Sequence, residues 1–267
     1  MTLSAKTPPY AGIHPSAIVH PGARLGAQVT IGPFSIIGEQ VEIGDRSWVG
    51  SHVTLTGQTK IGCDNRIFHY NSIGEEPQDK KYAGEATRLE IGDRNTIREL
   101  CSFNRGTVQD AGVTRIGNDN WIMAYVHIAH DCQVGNRTIF ANNSQLAGHV
   151  HVDDWAVLGG YTGVHQYCRV GAHTMTAVGT VVLQDIPPYV MAAGNSASPY
   201  GINVEGLKRR AFSADALLAL KRAYRTLYRS GLTLEEARNK LEEEVKTHPE
   251  IQALLDFFAL SKRGIIR

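Results

Sequence analysis

Four of the chain's eleven histidines lie close together, in the strings VHIAHDC, LAGHV and VHQYC. They are His127, His130, His149 and His165. A neutral imidazole can accept a proton at neutral pH, because its reference pKa is about 6.5. A dense group of imidazoles is therefore typical of a general base or of a metal centre, whereas a lone histidine is more often an ordinary surface residue.

The spacing of the residues around these histidines favours acyl transfer. His130, Gly148 and Gln166 are separated by eighteen residues each. If eighteen residues make one coil, the three positions share a corner, with a rise of about 4.8 Å per coil. A base, a backbone N–H that no side chain blocks and a carboxamide would then converge, which suits proton removal and oxyanion stabilisation.

An aliphatic residue recurs at every sixth position between Ile31 and Gln184. This period fits neither an α-helix nor an alternating strand, and it predicts an all-β solenoid of hexapeptide repeats with three short strands per coil. Known solenoids of this kind are left-handed parallel β-helices. The period lapses near 75–90 and 104–115, where we expect inserted loops.

The repeat ends near Pro187 and Pro188, and helical spacing of apolar residues begins at Leu217. We therefore expect a β-helix over 1–190 and a C-terminal helical domain over 191–267. Ser213 is placed to cap the first helix and Gly231 to end it. Thr233 begins a capping-box pattern, and His248-Pro249 separates the second helix from a third that ends near Ser261.

The composition, with 42% hydrophobic and only 7% aromatic residues, suits a core of stacked aliphatic side chains. With no apolar run near eighteen residues and no leader pattern, we expect a cytoplasmic protein without a membrane span, and no nucleic-acid partner. Cys101, Cys132 and Cys168 fall at a second inward position of their repeats. They are interpreted as reduced core thiols.

Basic residues are concentrated in the tail, at LKRR (207–210) and then at Lys221, Arg222, Arg225 and Arg229. They could form a solvated helix face or a docking surface for an acidic partner or a phosphate. A triangular solenoid also offers flat faces for threefold packing, so we expect a homotrimer by analogy with other hexapeptide proteins.

Zinc is the sharper alternative for the histidine cluster, because some hexapeptide solenoids are metal-dependent carbonic anhydrases. His127, His130 and His149 could be imagined as ligands, but they span a strand corner and two coils, and we can name no carboxylates that would orient them from behind. We therefore expect no metal site.

Several longer strings carry a specific resemblance: QDKKYAGEATRLEIGDRNTIRE, NRGTVQD, YVHIAHDCQVGN, NNSQLAGHV, GGYTGVHQYC, QDIPPYV and GINVEGLKRRAFS. Over the whole chain the sequence resembles the acyl-[acyl-carrier-protein]–UDP-N-acetylglucosamine O-acyltransferases, which open lipid A biosynthesis in Gram-negative bacteria. The hexapeptide repeat alone is weakly specific, whereas HIAHDC together with NVEGLKRR is strongly specific.

The resemblance implies a function and a set of roles. The enzyme would transfer a 3-hydroxyacyl chain from acyl-carrier protein to the 3-hydroxyl of UDP-N-acetylglucosamine, without a metal or a diffusible cofactor. His130 would be the general base, Asp131 its partner and Gly148 the oxyanion donor. Asp131 directly follows His130, so only a corner of the solenoid would let it help. The residues implied to bind the sugar nucleotide are Asp79, Lys81, His127, His149, His165, Gln166, Asn203, Glu205, Arg209 and Arg210.

One position departs from the family pattern. Members that take a fourteen-carbon chain have a glycine at the end of the acyl groove, where this chain has Val178, next to Ala177. We expect Val178 to shorten the preferred acyl chain to about ten to twelve carbons, because a close-packed groove has no room for the added carbons. Thr176 or Met175 could end the groove instead.

Two rival functions stay open from the sequence. The N-acyltransferase of the same pathway shares the solenoid but usually has a separate N-terminal domain, for which the coils beginning near Ile13 leave no room. A non-catalytic or metal-binding hexapeptide scaffold is the other, and an activity assay with and without EDTA would distinguish it.

Overall fold

The computed structural model describes residues 11–267. The chain forms two compact units, one ending at Asp131 and the other beginning at Cys132. In each unit, strands of two to five residues pair almost entirely in parallel, coil upon coil. The predicted hexapeptide β-helix with C-terminal helices is therefore confirmed.

The first unit contains three parallel sheets. One contains β1 (Ile18–Val19), β4 (Ile36–Ile37), β7 (Thr54–Leu55), β10 (Ser72–Glu75), β13 (Ser102–Asn104) and β16 (His127–Ile128). The second contains β2 (Arg24–Leu25), β5 (Val41–Ile43), β8 (Gln58–Ile61), β11 (Arg88–Ile91) and β14 (Val113–Ile116). The third contains β3 (Thr30–Ile31), β6 (Trp48–Val49), β9 (Arg66–Ile67), β12 (Thr96–Ile97) and β15 (Trp121–Ile122).

The aliphatic residue that recurs at every sixth position is the one whose side chain is buried inside the coil. Ile31, Val49 and Ile67 pair in register on successive coils, and each is 0% exposed. Between strands the chain turns at corners in the left-handed backbone region. From Asp119 to His173, every sixth residue has φ between 56° and 65°. At each corner the positive φ turns the backbone, so that the chain changes direction between one strand and the next.

The two inserted loops are shorter than the sequence predicted. Strand β10 runs to Glu75 and β11 begins at Arg88, so the first loop is 76–87 rather than 75–90. The second is 105–112 rather than 104–115. Glu90 and Arg115 pair in register on β11 and β14. Because both residues are charged and point outward, the sequence pattern did not identify them as parts of strands.

The second unit continues the same pattern with β17 (Gln133–Val134), β20 (His151–Val152) and β23 (Arg169–Val170) in one sheet and β19 (Gln145–Leu146), β22 (Gly163–Val164) and β25 (Val181–Val182) in another. Its third sheet contains β18 (Ile139–Phe140), β21 (Val157–Leu158), β24 (Met175–Thr176), β26 (Val190–Ala193) and β27 (Ser198–Ile202). Strands β26 and β27 pair antiparallel, which the sequence reading did not predict.

The tail contains α1 (Val204–Arg209), α2 (Ala214–Tyr228), α3 (Leu234–Glu244), a 3₁₀ turn (Pro249–Ile251) and α4 (Gln252–Leu260). The caps predicted at Ser213 and Thr233 are confirmed, the latter as a full capping box. The end of the last helix near Ser261 is also confirmed. Helix α1 was not predicted, because its six residues are too few to show a helical period.

The helices pack their apolar faces together through a buried cluster that includes Leu207, Leu220, Leu241 and Ile251. Tyr189 joins the cluster from the solenoid, and its hydroxyl donates to the Glu250 carbonyl oxygen at 2.9 Å. The domain boundary near residue 190 stays a prediction.

Cys101, Cys132 and Cys168 are buried, as expected for core residues. Burial raises the pKa of Cys101 to about 12 and that of Cys168 to about 11. Among residues 11–267, no helix is both long enough and apolar enough to cross a membrane.

Candidate active site

His130 and Asp131 meet at a solenoid corner that follows β16. The backbone of Asp131 has φ of 60°, in the left-handed region. This turn lets adjacent side chains face each other, and His130 Nδ1 lies 2.9 Å from Asp131 Oδ2. The imidazole is 15% exposed and the carboxylate 1%. The solenoid corner that would let Asp131 contact His130, as the sequence analysis required, is therefore present.

The carboxylate of Asp131 determines which nitrogen of the His130 ring carries the proton. An ionised carboxylate can only accept a hydrogen bond, so Nδ1 of His130 must be the donor. In the neutral imidazole the lone pair is then on Nε2. A histidine oriented in this way can take a proton at Nε2 while Asp131 stabilises the imidazolium that forms.

His127 lies three residues before His130, on β16. Its Nδ1 is 2.8 Å from the Ser102 hydroxyl oxygen. Burial lowers the pKa of His127, and the neighbouring His130 contributes to the same direction. The lowered pKa favours the neutral imidazole of His127, which can form hydrogen bonds.

Asp79 and Lys81 lie in the 76–87 loop, where the Lys81 N–H donates to Asp79 Oδ1 at 3.0 Å. Asp79 is half-buried and Lys81 is exposed. Arg105, which the sequence reading missed, holds this loop. Its guanidinium donates to the Gly74 carbonyl oxygen at 2.6 Å and to the Tyr82 hydroxyl at 3.0 Å.

Thr107 was also missed, although its hydroxyl lies 2.6 Å from Asp131 Oδ2. Both missed residues belong to the string NRGTVQD, where the hexapeptide period lapses. A buried threonine or arginine in a polar loop leaves no periodic signal, so only three-dimensional placement identifies it.

In the second unit, Gly148 and Gln166 lie on neighbouring coils, as their eighteen-residue spacing predicted. The Tyr167 N–H donates to the Gly148 carbonyl oxygen at 3.1 Å. His149 is 7% exposed and stacks on the Tyr167 ring at 4.4 Å between centroids. His165 is exposed and donates from Nδ1 to the Gln166 carbonyl oxygen at 3.1 Å. The convergence of these residues with His130 stays a prediction.

The start of α1 borders a cleft of about 700 Å³ in the second unit. The cleft is lined by all four residues predicted for this segment, Asn203, Glu205, Arg209 and Arg210. Glu205 is exposed and pairs with Lys208 at 3.0 Å. Arg209 is also exposed, so its guanidinium is accessible to a ligand in the cleft.

Asn203 and Arg210 also have structural contacts. Asn203 caps α1 by accepting from the Gly206 N–H at 3.1 Å, and it donates to the His173 carbonyl oxygen at 3.0 Å. Arg210 is partly buried beside His173 and Trp155, and burial lowers its pKa. Both residues therefore fix α1 on the solenoid.

Val178 lies on an outward corner and is 74% exposed. It is one coil above Gly160, where an added Cβ would come within 3.9 Å of Val178 Cγ2. Its proposed effect on acyl-chain length stays a prediction.

Comparisons with known proteins agree with the fold and with the sequence motifs. Residues 185–266 match the family model described as UDP-N-acetylglucosamine O-acyltransferase, domain 2. Residues 22–57 and 114–148 match the bacterial transferase hexapeptide model.

Two curated relatives are named acyl-[acyl-carrier-protein]–UDP-N-acetylglucosamine O-acyltransferase. The protein of Thiobacillus denitrificans is 67% identical, over 96% of this chain and 100% of its own. That of a Janthinobacterium species is 60% identical, over 96% and 99%.

Two solved structures are similar throughout. The UDP-N-acetylglucosamine O-acyltransferase of Moraxella catarrhalis has a TM-score of 0.94 at 48% identity, over 96% of this chain and 99% of that one. The Francisella novicida UDP-N-acetylglucosamine acyltransferase has a TM-score of 0.94 at 44% identity, over 96% and 94%. These likenesses also confirm the left-handed β-helix. By its sequence, its coils and its relatives, the chain belongs to the acyl-[acyl-carrier-protein]–UDP-N-acetylglucosamine O-acyltransferase family.

Proposed function

We propose that this chain transfers a 3-hydroxyacyl group from acyl-carrier protein to the 3-hydroxyl of UDP-N-acetylglucosamine, as the first step of lipid A biosynthesis. The names of its relatives supply the two substrates. Direct transfer needs no enzyme-bound acyl intermediate, because the thioester already has a good leaving group.

The central step is a proton transfer coupled to acyl attack. Nε2 of His130 takes the proton of the sugar 3-hydroxyl as that oxygen forms a bond to the thioester carbonyl carbon. The Gly148 N–H is assigned to the resulting oxyanion. When the intermediate collapses, the C–S bond breaks, and the imidazolium returns its proton to the thiolate of the carrier protein. The products are the 3-O-acyl sugar nucleotide and the carrier thiol.

The observation that carries this proposal is the contact between His130 Nδ1 and Asp131 Oδ2. It leaves Nε2 as the basic nitrogen, and the pair is only slightly exposed to water. Asp131 is accordingly assigned as a catalytic residue with His130, and Gly148 is assigned on its family motif, LAGH, and its eighteen-residue spacing from His130.

Polar residues of the loops and corners are proposed to bind the nucleotide sugar. Arg209 is exposed in the cleft, where a guanidinium can bind the diphosphate through charge-assisted hydrogen bonds. The other binding residues are proposed to be Asp79, Lys81, His127, His149, His165, Gln166, Asn203, Glu205 and Arg210.

The acidic carrier protein is assigned to the basic surface of α2. Lys221, Arg222, Arg225 and Arg229 are all exposed there. Lys221 and Arg225 are four residues apart, which places them on one face of α2, and Arg229 follows at its C-cap. A homotrimer and a cytoplasmic location complete the proposal.

The test combines the purified chain with 3-hydroxyacyl-carrier protein and UDP-N-acetylglucosamine, and follows the acylated sugar nucleotide by mass spectrometry. We expect product with the 3-hydroxy acceptor and none with a 3-deoxy acceptor. EDTA should leave the rate unchanged, whereas a metal-dependent enzyme would lose activity. Transfer only to a 3-amino acceptor, or to neither acceptor, would contradict the proposal.

A further inference from the structure

The 105–112 loop brings Thr107 against the carboxylate of Asp131. The Thr107 N–H donates to Asp131 Oδ1 at 2.8 Å, and the Thr107 hydroxyl donates to Oδ2 at 2.6 Å. One residue thus contacts both carboxylate oxygens. Since Oδ2 is also the atom that faces His130 Nδ1, the hydroxyl and the imidazole share an acceptor.

This arrangement fixes the plane of a buried carboxylate. Asp131 and Thr107 are each 1% exposed. A buried charge is tolerated only where donors replace its lost water, and two donors from one residue also determine its orientation. The direction in which Oδ2 points then determines how the His130 ring is held.

The loop is anchored so that Thr107 can act in this way. The Gly106 N–H donates to the Arg88 carbonyl oxygen at 3.2 Å, and the Thr107 carbonyl accepts from the Gly112 N–H at 3.1 Å. On the far side of the loop, the Thr114 hydroxyl oxygen accepts from the Asp131 N–H at 2.8 Å. Asp131 is therefore contacted by the loop through Thr107 and by strand β14 through Thr114.

We propose that Thr107 is a positioning residue for acyl transfer: by orienting Asp131 it holds His130 with Nδ1 as donor and Nε2 as base. The inference rests on the proposed function. It also gives the second insertion a role, since Thr107 of this loop supplies the hydroxyl that contacts Asp131 Oδ2.

The test uses a matched pair of substitutions. Thr107→Val keeps the shape of the side chain and removes the hydroxyl, whereas Thr107→Ser keeps the hydroxyl and removes the methyl group. We expect the valine variant to lower kcat by about 10- to 100-fold, the effect of one hydrogen bond to a charged group. KM for both substrates should change less than about threefold, because Thr107 is assigned no substrate contact. For the serine variant, the decrease in log kcat relative to wild type should be at most half of the decrease seen for the valine variant.

A second comparison excludes a purely structural effect. In the His130→Ala background, Thr107→Val should lower kcat no further, because a residue that acts through His130 has nothing left to position. Wild-type kcat in the valine variant, failure of serine to recover activity, or an undiminished effect in the His130→Ala background would overturn the inference. If the valine variant does not fold by circular dichroism, Thr107→Ala takes its place with the same expectations.

The single variant His130→Ala separates this inference from the proposed function. If it retains wild-type turnover, the assignment of the base is wrong and Thr107 cannot position it. If it loses turnover while Thr107→Val does not, the proposed function stands and only the inference about Thr107 fails.

Discussion

The guanidinium of Arg210 lies 5.0 Å from the centre of the Trp155 ring, and its Nη2 donates to the Trp155 carbonyl oxygen at 2.9 Å. Arg209, its neighbour in sequence, is exposed in the cleft beside α1. Two adjacent arginines are thus in different environments. Arg210 fixes helix α1 to the solenoid, and Arg209 is accessible to a ligand.

This difference predicts different effects of the same substitution. Arg209→Ala should raise KM for UDP-N-acetylglucosamine by about tenfold or more and change kcat less, because it removes charge-assisted contacts that persist through the reaction. Arg210→Ala should in addition lower the melting temperature. Steady-state kinetics and thermal melts of the two variants test this. A change confined to KM for the carrier protein would place Arg209 on the docking surface instead.

Val178 is predicted to limit acyl-chain length. A valine in place of glycine adds three carbons to the end of the groove, so wild type should prefer donors of about ten to twelve carbons. Val178→Gly should shift the preference toward fourteen carbons. Competition between ten-, twelve- and fourteen-carbon 3-hydroxyacyl donors measures both. Wild type favouring fourteen carbons, or an unchanged preference in the variant, would remove Val178 from this role.

His173 should make folding sensitive to acid. Its ring stacks between Trp155 and Tyr189. Burial, with a further contribution from Arg210, lowers its pKa to about 4, although Asp154 acts in the opposite direction. The unfolded chain has the ordinary pKa of about 6.5, so it binds more protons between these values. The free energy of unfolding should therefore fall as pH decreases from 6.5 to 4.

The control for this effect is His173→Gln, which cannot titrate in that range. Thermal melts at pH 7 and pH 5 should show a larger decrease for wild type than for the variant. Equal decreases in the two proteins would mean that other groups account for the acid sensitivity.

The six-residue period was sufficient to predict the β-helix because every coil buries a side chain at the same repeat position. At inward positions such as Ile31, Val49 and Ile67, the side chain has to be aliphatic in every coil. The helix caps at Ser213 and Thr233 were also predictable, since a cap depends on a short local pattern. Helix α1 and the β26–β27 pair were missed because they are short and tertiary contacts determine them.

The candidate site was predictable only in part, for a related reason. The positions of Gly148 and Gln166 follow from the repeat, and their placement on neighbouring coils is confirmed. The contacts of Arg105 and Thr107 arise where the repeat is interrupted, so no period could reveal them. The orientation of Asp131 depends on a left-handed backbone conformation, which an aspartate tolerates but does not require.

The most direct test of this account is the turnover of His130→Ala with saturating 3-hydroxyacyl-carrier protein and UDP-N-acetylglucosamine. The ring is at a corner and contributes little to the aliphatic core, so the variant should fold, as a thermal melt would verify. A positioned general base contributes about 10²- to 10⁴-fold, and we predict a loss of kcat in that range. A folded variant that retains more than about a tenth of wild-type turnover would contradict the assignment of His130 as the base.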